Sequence, residues 1–99
     1  MTSANARVRR EDSQQRYVLE VNGEELGSAV FTEEENRTVF TRTEVDPSLK
    51  GQGLGSKLIQ DALEDTQERQ RRIVPVCGFV AKYVESHPEF SESVDWPQQ

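Results

Sequence analysis

The apolar positions of this chain fall into short runs whose spacing changes along the sequence, and each spacing predicts a type of element. Residues 16–21, RYVLEV, are rich in β-branched and aromatic side chains and read as a strand. Asn22-Gly23 follows, the dipeptide that closes a two-residue hairpin because both positions tolerate positive φ. A second strand is expected from about residue 25 to 32, with Leu26, Ala29, Val30 and Phe31 as its apolar content and Gly27 as a bulge or point of close approach. Glu33-Glu34-Glu35-Asn36 interrupts the pattern as a solvated turn. Residues 37–45 resume it as a third strand carrying Val39, Phe40, Thr41 and Thr43.

The period then lengthens. After Asp46-Pro47, where proline disfavours helix at the preceding residue, Leu54, Leu58, Ile59, Ala62 and Leu63 recur at the spacing of one helical face, which predicts a helix over 53–71. Asp65 with Arg69 and Glu68 with Arg72 form i,i+4 pairs on it, and Arg69, Arg71 and Arg72 gather where the dipole is negative. Residues 73–76 return to a strand, expected to run parallel to the third through a right-handed crossover because a helix separates the two. Residues 79–86 predict a second helix, with Phe79, Val80, Tyr83 and Val84 on one side and an end before Pro88. The order β-β-β-α-β-α is an α+β fold. The flanks have no apolar period, so 1–15 and 91–99 are expected as flexible tails around one domain at 16–90, with Trp96 docked on the surface or exposed.

Ninety-nine residues hold one modest core and leave no room for a separate substrate domain. A net charge of −6 argues against a nucleic-acid surface, which rests on a field of Lys and Arg. One cysteine cannot close an internal disulfide, and no segment has the length and composition of a signal peptide or a membrane span. The expectation is a cytoplasmic protein with no membrane or nucleic-acid partner, a monomer or a weak dimer through an open sheet edge.

Chemistry concentrates between the third strand and the first helix. Gly51, Gly53 and Gly55 fall at alternate positions ahead of the helix. Glycine permits positive φ and close ligand approach, and a helix start presents unpaired N–H groups, so such a turn binds phosphate. A dinucleotide fingerprint fails at Ser56, and a Walker loop fails because Gly55-Ser56-Lys57 stands where Gly-Lys-Ser is required. The run Lys50-Gly51-Gln52-Gly53-Leu54-Gly55 instead resembles the Arg/Gln-x-x-Gly-x-Gly/Ala signature of the GNAT acetyltransferase superfamily. The likeness extends to Thr43-Glu44-Val45, Val74-Pro75-Val76-Cys77 and His87-Pro88-Glu89-Phe90. Over residues 16–90 the chain is similar to the small single-domain GNAT-like N-acetyltransferases.

That resemblance implies a minimal GNAT-like fold, an antiparallel three-stranded sheet extended by a parallel strand after a crossover helix, without the helices that usually separate the first two strands. It implies acetyl-coenzyme A as cosubstrate, an unidentified primary amine as acceptor and no metal. Val45, Lys50, Gly51, Gln52, Gly53, Leu54, Gly55 and Ser56 would hold the cofactor, with Lys50, Lys57 and the helix N-terminus opposing the chain's negative charge. The thioester would lie in the gap between 42–45 and 76–78, its carbonyl polarised by N–H groups near Val45. In the family a cysteine at the place of Cys77 has been proposed to accept the acetyl group. From the residues alone, Cys77 is either a nucleophile ahead of a helix N-terminus or a small buried apolar residue. Tyr83 is either the acid for the departing thiolate or a packing ring, and Glu44 is either a desolvated base or an ordinary exposed carboxylate. His87 caps and packs a helix end or shuttles a proton. Two departures stand out: Lys50 replaces the signature's Arg or Gln, and Arg42 replaces a histidine that often precedes Thr-Glu-Val. The rival reading is a non-catalytic module that binds coenzyme A or a protein partner.

Overall fold

Strand alternation decides the layers. The structure is a computed structural model that describes residues 5–97. In β2 (Arg16–Val21) Tyr17, Leu19 and Val21 point to one face, and they join Ala29 and Phe31 of β3 (Glu24–Glu34) and Phe40 of β4 (Arg37–Val45) in a single core cluster. Leu58, Ile59, Ala62 and Leu63 of α1 (Leu54–Glu68) close over them, all fully buried. Ile73 of β5 (Arg72–Pro75) and Val80, Tyr83 and Val84 of α2 (Gly78–Ser86) complete the same cluster. The fold is thus a sheet of five strands with both helices feeding one core, an α+β architecture.

With a first strand, β1, at Ala6–Glu11, the sheet order is β1-β2-β3-β4-β5, antiparallel through β4, with β5 parallel to β4. The hairpin at Asn22 (φ 53°) and Gly23 (φ 84°) has the two positive φ values its sequence demands. Gly27 sits beside a bulge, and a methyl group there would lie 3.2 Å from the carbonyl oxygen of Glu44. Close approach to β4 is the reason for this glycine.

Four expectations need correction. Residues 1–15 are not wholly a tail: β1 (Ala6–Glu11) pairs with all of β2, from Ala6 opposite Val21 to Glu11 opposite Arg16. Ala6 and Val8 pack against the core cluster, and ion pairs add to their hold, with Arg9 bonded to Glu20 at 2.8 Å and Arg10 to Glu33 at 2.6 Å. Arg10 also lies over the Phe31 ring at 4.6 Å. Residues 1–4 of that expected tail lie outside the described residues.

At the other end, the chain beyond residue 90 stays docked. Val94 is buried and bridges Ile73, the Asp95 N–H donates to the Ile73 carbonyl at 2.8 Å, and Arg72 pairs with Asp95 at 2.7 Å. Trp96 is exposed, and residues 98 and 99 lie outside the described residues. Finally, α1 stops at Glu68 because Gln70 turns left-handed (φ 60°) and the Arg71 N–H caps the Thr66 carbonyl. Asp65 keeps its pair with Arg69 at 2.7 Å, whereas Arg72 has left the helix for β5 and pairs with Asp95 in place of Glu68.

The acidic run divides as well. Glu35 (φ 42°) and Asn36 make the turn, but Glu33 belongs to β3 and is bonded by Arg10, Thr38 and Arg71.

Candidate functional site

β4 and β5 start together and then part. Arg37 to Phe40 pair with Arg72 to Pro75, but β4 continues to Val45 while β5 ends. One last bond, the Cys77 N–H to the Phe40 carbonyl at 2.9 Å, marks the fork. A bulge at Thr41 then resets the alternation, since Phe31 faces Phe40 but Val30 faces Arg42. Without it Phe40, Arg42 and Glu44 would share the core face; with it Thr43 and Val45 turn inward.

The result is a contact. The Cys77 thiol lies 3.3 Å from the Thr43 hydroxyl, within hydrogen-bond reach, and Val45 packs against the core cluster. Cys77 itself is buried and occupies the position just before α2, so its sulfur sits at the helix's positive end. The Asp46 N–H donates to the Leu26 carbonyl on the β3 side. By alternation the Val45 N–H, one residue earlier, faces the opposite edge, toward the fork.

The turn that follows β4 frees its amides selectively. Asp46 caps a short helical turn (Pro47–Leu49) by accepting the Ser48 N–H at 2.9 Å, and that backbone bond holds the Asp46 carboxyl below its ordinary range. The N–H groups of Lys50 and Gln52 are taken internally, by Pro47 and Leu49 carbonyls at 3.1 Å each. Those of Gly51, Gly53, Leu54, Gly55 and Ser56 donate to no acceptor among the described residues. Gly51 (φ 81°) and Gly53 (φ 72°) supply the left-handed backbone that turns this set to one side at the start of α1.

These groups edge a pocket of about 420 Å³. Val45, Lys50, Gly51, Gly53, Gly55 and Ser56 line it; Gln52 does not, its side chain being turned to the Ser48 carbonyl, and neither does Leu54, which packs on the core. Lys57 is ion-paired along the helix with Asp61 at 3.1 Å, leaving Lys50 as the lysine on the pocket wall.

The remaining candidates are distributed differently. Tyr83 lies in an adjoining pocket of about 290 Å³ with His87, sharing Ser56 and Phe79 with the first. Its hydroxyl is 3.5 Å from Gln60 Oε1, its ring stacks on His87 at 3.8 Å, and His87 Nδ1 lies 2.8 Å from the Tyr83 carbonyl oxygen. Burial, then the charges of Glu89, Glu64 and Asp61, push the Tyr83 hydroxyl pKa up, so it keeps its proton. Tyr83 is six positions from Cys77, about 9 Å along a helix axis, and no hydrogen bond among the described residues joins it to the Thr43–Cys77 pair. Glu44 points to the other face of the sheet, its side chain 68% exposed and 3.7 Å from Arg42. It is exposed to solvent and turned away from the Thr43–Cys77 pair.

Two residues went unassigned in the sequence. Thr43 was visible only as part of a motif, because a bulge decides which way it faces. Phe79 was placed on the apolar side of α2, yet it stands 43% exposed between the two pockets. Among the described residues no group of three or more His, Cys, Asp or Glu could hold a metal ion, and no helix is long and apolar enough to cross a membrane.

Comparison with known proteins bears on what this fork is for. No curated protein matches the chain. Among solved structures, a GCN5-like protein of Staphylococcus aureus, determined in solution by NMR, superposes with a TM-score of 0.72 at 18% identity, covering 96% of this chain and 93% of its own. A GNAT family acetyltransferase of Brucella melitensis, solved in complex with acetyl-CoA, gives 0.54 at 23% identity over 69% of this chain. An N-acetyltransferase of Staphylococcus aureus gives 0.55 at 24% identity over 77% of this chain. The chain spans half the length of each of these last two. At such identities the likeness is one of fold. The family model of the GCN5-related N-acetyl-transferases matches residues 16–94, and the chain therefore belongs to that family.

Proposed function

We propose that this chain binds acetyl-coenzyme A and transfers the acetyl group to a primary amine. The observation that carries the reading is the set of unpaired N–H groups of Gly51, Gly53, Leu54, Gly55 and Ser56 beside a pocket at the start of α1, next to the strand fork in which Thr43 meets Cys77. A diphosphate satisfies those donors at a helix start, where the dipole adds to their pull. The cofactor's sulfur end then enters the fork, and the Val45 N–H polarises the thioester carbonyl. That a relative of this fold is described in complex with acetyl-CoA supports the same ligand here.

Two routes complete the transfer. In the direct one, the amine nitrogen attacks the thioester carbonyl carbon, the C–S bond breaks, and the departing thiolate takes a proton. In the covalent one, the Cys77 sulfur attacks first and coenzyme A leaves as its thiol; the amine then attacks the S-acetyl group and Cys77 recovers its proton. Burial and the Thr43 hydroxyl hold the thiol in place for the second route. Cys77→Ala is expected to bind coenzyme A as the wild type does and, on the covalent route only, to lose turnover, measured as thiol release with a panel of amines. Unchanged turnover eliminates the covalent route, and an acetyl adduct on Cys77 by mass spectrometry supports it.

A second reading is a cofactor-binding module without catalysis. It is favoured by the position of Glu44, exposed beside Arg42 on the face opposite the thiol. Binding of acetyl-coenzyme A without thiol release on any amine would select it.

A further inference from the structure

The side chain left unexplained by folding is Phe79. It lies in the first turn of α2, where Val80 and Val84 already serve the core, and it is one of only three large apolar side chains exposed among the described residues. A second, Val76, is also next to Cys77. The Phe79 ring forms part of the wall of both the loop pocket and the α2 groove. Its tip reaches the first turn of α1: a methyl group at Gly55 would come within 3.1 Å of it. The ring thus lies against the loop's end at Gly55, on a helix whose N-cap, two residues earlier, is Cys77.

We infer that Phe79 is a positioning residue for coenzyme A, the surface that the cofactor's arm crosses between diphosphate and thioester. This rests on the reading that the loop binds that cofactor. The arm carries two methyl groups and several methylenes between two polar ends, so it needs an apolar support that a cradle of amides does not offer. An aromatic ring half open to solvent gains by being covered, and the arm gains by leaving water. The absence of a Cβ at Gly55 leaves the ring room to lie against the helix start, so that the support and the diphosphate site meet at one point.

The test is calorimetric titration of the full chain with two probes, coenzyme A and adenosine 3′-phosphate 5′-diphosphate, which is the same nucleotide without the arm. Phe79→Ala is expected to weaken coenzyme A about tenfold, the equivalent of ~1.4 kcal/mol of apolar contact, and to leave the armless nucleotide unchanged. Phe79→Leu, which keeps an apolar side chain, is expected to recover most of the loss. Amide spectra of both variants check that the fold persists. Equal coenzyme A affinity in Phe79→Ala and wild type overturns the inference. So does a matching loss for both probes, because the ring would then be holding the loop and not the arm. If wild-type protein binds neither probe, the cofactor reading itself falls, a result distinct from either.

Discussion

The two ends of the β3–β4 hairpin treat polar groups in opposite ways. At the turn end, Arg10, Glu33, Arg71, Thr38, Tyr17 and Asp65 bond to one another: the Tyr17 hydroxyl donates to Asp65 at 2.6 Å, Arg10 reaches Tyr17 at 2.8 Å, and Arg71 joins Glu33 and Thr38. At the other end, past Val45, the N–H groups of Gly51, Gly53, Leu54, Gly55 and Ser56 have no partner among the described residues and an aromatic ring is left exposed. Any helix start leaves such N–H groups to water or to a ligand; here glycines add to the set beside a pocket, the kind of surface that an anion completes. One end supplies rigidity and the other is left unfinished.

The sharpest way to break that contrast is at the loop. Gly53→Val places a β-branched side chain at φ 72°, which costs roughly 1–2 kcal/mol locally, and the loop's escape from that strain scatters the free amides. Coenzyme A affinity should fall by at least ~100-fold in calorimetry. Gly23→Val is the control, since it puts the same side chain at φ 84° in the β2–β3 turn, where nothing lies within 4 Å of a Cβ; it should bind like the wild type. Loss in both variants would mean that the cradle is not where the affinity comes from.

The mirror experiment attacks the finished end. Arg10 is only 12% exposed and bonds Asp12, Glu33 and Tyr17. Arg10→Met keeps the apolar stem over Phe31 but strands Glu33 with a single cationic partner, Arg71. Removing one member of so buried a network should cost about 2–3 kcal/mol in denaturant unfolding. Coenzyme A binding should not change. A shift in its dissociation constant would show that the two ends are coupled, and the contrast drawn here would be wrong.

The same contrast explains what was legible in the sequence. Asn22-Gly23, the alternate glycines and the face of α1 were readable because each depends on local backbone chemistry or a single period. β1 was not, since its apolar alternation is only Ala6 and Val8, too short to stand out among arginines, and Arg9 and Arg10 are held by partners far along the chain, Glu20, Glu25 and Glu33. The Thr41 bulge was equally hidden, and with it the facing of Thr43 toward Cys77 and of Glu44 away from it. The end of α1 was misplaced by three residues because Gln70 accepts a left-handed conformation that sequence reserves for glycine or asparagine. Loop residues were thus identified from composition, while the partners across the fork required the register of the sheet.

Acid should separate the two ends by a smaller margin. Burial raises the Asp65 carboxyl pKa, but hydrogen bonds from Tyr17 and Arg69 outweigh it and hold the group below its ordinary range; Arg16 does the same for Glu11, and Arg10 for Asp12. A carboxyl depressed in the folded state contributes stability that is present above its unfolded pKa and is lost as pH falls through the folded value. Unfolding free energy should therefore be flat from neutral pH to about pH 5 and decline below about pH 4, where free carboxyls titrate. Asp65→Asn should lower the plateau and flatten the acid limb, because its neutral side chain has no proton to take up. At the loop only Asp46 is depressed, through the Ser48 N–H, and it is exposed. Asp46→Asn keeps an acceptor for that N–H and removes one depressed carboxyl held by a single backbone bond, so it should flatten the acid limb less than Asp65→Asn does. An acid limb that followed Asp46 and ignored Asp65 would place the pH-sensitive lock at the open end, against the division of labour argued from the hydrogen bonds.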